Sequence, residues 1–160
     1  MLKKRLTAMA GGGAFALVFA VLLSWYSTAP APAPAPVSTV TVYKAPTCMC
    51  CGAWVDHMRA AGFEVDVHDV ADLAPIKREN GVMPEHGSCH TALVDGFVIE
   101  GHVPADLVQK MLDERPEIAG LSVPGMVVGS PGMEVPGQPA QPYDVIAFDS
   151  NGNSGVYAKR

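Results

Sequence analysis

The stretch PTCMCCGAW places three of the chain's four cysteines, Cys48, Cys50 and Cys51, within four residues. Cys48 and Cys51 have Cys-x-x-Cys spacing, which serves a redox dithiol, a disulfide staple or thiolate ligation of a metal. A staple across so short a loop would constrain the unfolded chain very little, so the reactive readings lead. Cys50, directly beside Cys51, is awkward for one tetrahedral ion and comfortable for thiolates that bridge several Cu(I) ions. The fourth cysteine, Cys89, precedes His90 in GSCHTALV. Four thiolates gathered at one point would select a soft ion. Copper is the first choice, and zinc, for which Cys₄ and Cys₃His sets are ordinary, is the second.

Methionine points the same way. Pro-Gly-Met occurs twice, at 124–126 and 131–133 in VPGMVVGSPGMEVPG. Met126 and Met133 are thus offered from loops, either as thioether ligands or as fillers of irregular gaps. The other histidines give no decisive signal: His57 faces either the cluster or water, His102 is read at least as readily as a structural residue as a ligand, and His68 and His86 add no independent signal. No Ser/His/Asp set, paired carboxylates or phosphate loop emerges, so hydrolase and kinase chemistry have no residues to stand on.

These groups must be positioned by the surrounding elements. STVTVYKA alternates as a strand, and Cys51, Trp54, Val55, Met58 and Ala61 make a helical apolar stripe that stops at Gly62. FEVDVHDV is a second strand, and Asp72 is placed to cap a short helix ending at Gly81. HTALVDGFVIEGHV reads as a hairpin turning at Asp95-Gly96. An amphipathic helix follows from Pro104 to Arg115, with Leu107, Val108, Met111 and Leu112 inward. The order strand, helix, strand, helix, strand, strand, helix is that of an α/β thioredoxin-like fold. It puts Cys48 and Cys51 at a helix N-terminus, where free N–H groups favour thiolate. In that fold the loop before the hairpin packs on the dithiol and normally carries a cis-proline. Here His90 stands at that position, with Cys89 beside it, so a shielding residue becomes a candidate ligand.

The expected organisation has four parts. Residues 1–28 are a signal or anchor segment: Lys3, Lys4 and Arg5 precede an uncharged run from Leu6 to Tyr26, close to the ~20 residues that span a bilayer. Cleavage after Ala29 or Ala31 would place a proline just past the bond, and this, with Trp25-Tyr26 at the membrane edge, favours an uncleaved anchor with the rest outside the cytoplasm. Residues 29–37 hold an Ala-Pro repeat, read as an extended polyproline spacer. Residues 38–118 form the thioredoxin-like domain, and residues 119–160, rich in glycine and proline, an irregular extension packed on it. From Val37 onward there are eight basic against sixteen acidic side chains, a net charge of −8. Nucleic acid and anionic membrane surfaces are therefore poor partners for the domain.

CMCC, GAWVDHMRAAGFEV, SCHTALVDGFVIEGHVP, VPGMVVGSPGME and PYDVIAFD, in that order, resemble the CopG-type periplasmic copper-resistance family. The resemblance implies a thioredoxin-like domain, a C-terminal extension that helps bind metal, and a cysteine-bridged cluster of several copper ions. It further implies interconversion of Cu(I) and Cu(II), in support of detoxification through a periplasmic copper efflux system. Cys48, Cys50, Cys51 and Cys89 carry over as ligands, and Met126 and Met133 as extension ligands. Met49 fills a position where glycine is expected in many relatives. With His90 added from its position, these residues are the expected metal set, with Cys48 and Cys51 also the redox-active pair of an expected monomer. Three functions compete: a copper oxidoreductase, a copper chaperone or store using the same residues without turnover, and a thiol–disulfide oxidoreductase with Cys48 as nucleophile.

Overall fold

The computed structural model describes residues 38–160. The expected anchor and Ala-Pro spacer lie outside these residues. Among the described residues, no helix is long and apolar enough to cross a membrane.

Seven strands form one mixed sheet in the order β2-β1-β3-β4-β5-β6-β7. They are β1 (Thr39–Lys44), β2 (Glu64–Asp69), β3 (His90–Val94), β4 (Phe97–Glu100), β5 (Gly120–Ser122), β6 (Asp144–Phe148) and β7 (Ser154–Lys159). The helices are α1 (Met49–Ala60), α2 (Ala74–Glu79) and α3 (Ala105–Glu114), with a 3₁₀ turn at Pro84–His86. β1 and β2 run parallel across the α1 crossover, and β3 lies antiparallel to β1 with Tyr43 opposite Thr91 and Lys44 opposite His90. The β3–β4 hairpin turns at Asp95 and Gly96, both at positive φ, as an Asp-Gly pair between alternating apolar residues demands.

The period-two alternation of β3 and β4 divides the molecule into two layers on either side of the sheet. Val40, Val42, Ala92, Val94 and Ile99 meet Trp54, Val55 and Met58 of α1 and Leu107, Val108, Met111 and Leu112 of α3 in the main core. The intervening residues Leu93 and Val98 join Val82 and Phe148 in a smaller cluster on the other side. The apolar stripes expected of α1 and α3 are buried, except that Ala61, expected to close the first stripe, lies just past α1 and is exposed. The Asp72 side chain accepts the Ala74 N–H at 2.9 Å, but the residue that flanks the helix is Leu73.

The part beyond Ile118, expected to be irregular, is only partly so. β5 joins β4 in parallel after the α3 crossover, and β6 and β7 extend the sheet antiparallel. The strands are concealed in the sequence because β5 has three residues and a long Gly- and Pro-bearing segment separates it from β6. That segment, residues 123–143, keeps the expected irregularity, and it reaches the cysteines.

Candidate metal centre

Cys48 is the N-cap of α1, and Cys50 and Cys51 occupy its first turn. Cys51 points into the core, fully buried. Cys48 and Cys51 are joined as a disulfide, whereas Cys50 and Cys89 are free thiols, both half-buried. The Cys50 sulfur lies 3.6 Å from that of Cys48 and 4.0 Å from that of Cys89. All four sulfurs fall within 4.8 Å of one another. The sequence expected Cys89 to meet the Cys-x-x-Cys turn, and the β1–β3 pairing brings it there. The pairing of Cys48 with Cys51, discounted as a staple, is present as a bond at the reactive turn, so two of the four sulfurs become thiolate donors only after reduction.

A second set overlaps the first: Cys89, His90 and His102 also offer ligand atoms within 4.8 Å of one another. From sequence His102 was left open between a structural residue and a ligand, because its position after β4 has no motif around it. Its Nδ1 lies 2.8 Å from the carbonyl of Pro131, which can only accept, so Nδ1 carries the proton. Its Nε2 therefore presents a lone pair to the Cys89 sulfur 3.0 Å away. His90 opens β3, packs on Trp54 with ring centroids 4.5 Å apart, and sets Nδ1 3.5 Å from the same sulfur. Its Nε2 is buried without a hydrogen-bond partner among the described residues. No peptide bond among the described residues is cis.

Burial governs the protonation of this cluster. It pushes the Cys89 thiol up to about 12, with neighbouring Cys50 raising it further, so metal-free Cys89 is a thiol at neutral pH. Burial also lowers His90 well below the usual imidazole value, helped by the charges of His102 and Lys77. His102 is lowered too, again chiefly by burial. Both rings are thus neutral, the form in which imidazole ligates metals.

Behind the cysteines, on the other face of the sheet, stands a fully buried Glu100. Its carboxylate accepts the Ser88 N–H at 2.6 Å and the Thr91 hydroxyl at 2.7 Å, and forms an ion pair with Lys77 of α2. The Gly101 N–H donates to the His90 carbonyl at 3.0 Å. The Cys89–His90 segment is therefore fastened on both sides to the end of β4.

The two Pro-Gly-Met repeats dock on the two arms of the cluster. Gly125 bridges Ser88, next to Cys89, and its N–H donates to the Gly87 carbonyl at 3.0 Å. Gly132, at φ 83°, packs so closely on α1 that a Cβ would lie 2.7 Å from the Trp54 nitrogen and 2.8 Å from the Cys50 carbonyl oxygen. Only glycine fits there. Met133 is half-buried, whereas Met126 is 61% exposed and Met49, within the cysteine motif, 89%. His57 is a structural residue: its Nε2 accepts the Ala105 N–H that begins α3. His68 pairs with Asp66 at the surface, and His86 is buried against Phe148.

A mixed α/β sheet that converges four sulfurs and two neutral imidazoles at a helix N-terminus defines a thiol-rich site of soft-metal or redox chemistry. Residues 86–133 match a family described as "Protein of unknown function, DUF411". No curated protein sequence matches the chain. Two solved structures do, titled "Copper resistance protein copG", Form 2 and Form 1, each 41% identical to this chain. The first covers 78% of this chain and 99% of its own at a TM-score of 0.74, and the second 78% and 98% at 0.73. The chain belongs to the CopG copper-resistance family.

Proposed function

We propose that this chain is a copper-binding protein of copper resistance that interconverts Cu(I) and Cu(II) at a cysteine-bridged site. The observation that carries the reading is the convergence of Cys48, Cys50, Cys51 and Cys89 within 4.8 Å, in a relative of proteins titled for copper resistance. The donor set suits the ion: thiolates hold Cu(I), and imidazole extends the set toward Cu(II). The Nδ1 of His90, 3.5 Å from the Cys89 sulfur, is the ring atom that supports His90 as a ligand. Met126 and Met133 join as thioether donors from the loop docked on both arms. Zinc remains the alternative ion.

The strand order β2-β1-β3-β4, with α1 and α3 contributing to one core, supports the thioredoxin-like reading of the first four strands. Residues beyond Ile118 then act as an extension that supplies Pro131, Met126 and Met133 to the site. The basic, apolar N-terminus supports a periplasmic protein tethered to the inner membrane, acting as a monomer and passing copper to an efflux system.

Copper analysis of reduced protein tests the reading. Wild type is expected to bind several Cu(I) ions, and Cys89→Ser fewer. Equal stoichiometry in the two would overturn the converged site, and zinc retained in preference to copper would replace the ion. Failure of the loaded protein to cycle between Cu(I) and Cu(II) with its metal retained would reduce the function to a chaperone or store.

The Cys48–Cys51 disulfide favours a second reading, a thiol–disulfide oxidoreductase with Cys48 as nucleophile and Cys51 as resolving cysteine. Disulfide reductase activity of metal-free protein, lost in Cys48→Ser, would select it.

A further inference from the structure

The four sulfurs are not equivalent, and their arrangement bears on where the electrons for copper reduction come from. Cys48 and Cys51 are bonded to each other, which leaves Cys50 and Cys89 as thiols whose sulfurs lie 4.0 Å apart. We propose that Cys50 and Cys89 form a second dithiol, whose closure to a disulfide supplies the electrons that reduce Cu(II) to Cu(I) at this site. The proposal rests on the copper reading above and adds to it a reductant and a second pair.

In the balanced step, the S–H bonds of Cys50 and Cys89 break and one S–S bond forms. Two electrons pass to two Cu(II) ions, giving two Cu(I), and two protons leave. The His102 Nε2 lone pair, 3.0 Å from the Cys89 sulfur, takes one proton, and the other goes to water. His102 is held for this by the Pro131 carbonyl on its other nitrogen.

Geometry favours this pair. Both sulfurs are half-buried, so an ion can reach them. Closing 4.0 Å to a bond length of about 2.05 Å asks for about 2 Å of approach, within reach of side-chain rotation at the first turn of α1 and a small shift of the Cys89 segment. Cys89 is also the one residue common to both donor sets, the four-sulfur set and the Cys89, His90, His102 set. The set with two imidazoles suits incoming Cu(II), and the Cu(I) produced is released, because closure of Cys50 on Cys89 leaves all four sulfurs in disulfides. Cys89 therefore stands where the electron must cross.

The test uses full-length protein with Cys48–Cys51 oxidised and the other two cysteines reduced, mixed anaerobically with Cu(II). Cu(I) is read with a chromogenic chelator and the linkages by mass spectrometry of a non-reduced digest. The expected result is two Cu(I) per chain, a peptide pair linked through Cys50 and Cys89, and an intact Cys48–Cys51 bond. Cys50→Ser should lower the yield at least twofold and abolish the link. Cu(I) formed without that link, a scrambled Cys48–Cys89 or Cys48–Cys50 link, or an unchanged yield in Cys50→Ser would overturn the proposal. Anaerobic Cu(I) binding by the fully reduced protein separates the two claims. Binding retained without the Cys50–Cys89 link refutes the electron source alone, whereas no Cu(I) binding refutes the copper reading and the proposal with it.

Discussion

Replacing Glu100 by alanine removes the buried acceptor of three donors. The carboxylate is fully buried and receives the Ser88 N–H, the Thr91 hydroxyl and the Lys77 ammonium. Breaking a buried pair by removing one partner costs roughly 3–5 kcal/mol. Lys77 is 19% exposed and can turn partly to water, which places Glu100→Ala at the lower end, about 3 kcal/mol. Lys77→Met leaves the opposite charge uncompensated and should cost a similar amount. The double variant Glu100→Gln/Lys77→Met removes both charges while keeping an acceptor for Ser88, and should be more stable than either single variant. Urea unfolding of metal-free protein followed by circular dichroism measures all three. A loss below about 1 kcal/mol in Glu100→Ala, or a double variant no more stable than the single variants, would refute the reasoning. Because Ser88 and Thr91 flank Cys89, the variant that stays folded should also show faster alkylation of Cys89.

Three further outcomes follow from the site. Cys89 must lose its proton to bind metal, and that proton is held up to about pH 12, so Cu(I) affinity measured by chelator competition should rise at least about tenfold per pH unit near neutrality. A flat profile would remove Cys89 from the ligand set. The same raised value makes the unfolded chain surrender the proton first, near the ordinary thiol value of 9.0. Stability from this group is complete below that pH and lost as pH rises toward about 12, so Cys89→Ser should flatten the alkaline limb of a stability profile. Gly132→Ala should cost on the order of 2 kcal/mol and weaken Cu(I) binding, because its Cβ would meet the α1 backbone and push Pro131 from His102. Gly125→Ala, at φ 72° but with nothing within 4 Å, should cost less by thermal unfolding, and equal losses would contradict the close approach at Gly132.

Local periodicity made much of the fold legible. The stripes of α1 and α3 and the Asp-Gly turn of the hairpin are short-range patterns, and the helices and turn follow them. β5 to β7 were hidden because a three-residue strand has no periodicity to read, and pairing of β5 with β6 depends on partners far apart in the chain. At the site, the Cys-x-x-Cys spacing announced its own chemistry, and Cys89-His90 drew notice from its place before the hairpin. His102 gave no decisive signal and Glu100 drew no notice, since a histidine or glutamate acquires meaning only from what surrounds it after folding.

The sequence by itself therefore determined the helix-start thiols, the apolar faces that carry them, and a family resemblance built on blocks of residues. Tertiary structure decided which sulfurs meet. It bonded Cys48 to Cys51, brought Cys89 against Cys50, and turned the Nε2 of His102 onto Cys89 through the Pro131 carbonyl. The reason is distance along the chain: spacing within a helical turn is set by backbone geometry. Contacts between the first helix, the third strand and a glycine-bearing loop exist only when a shared core and a buried carboxylate hold them together.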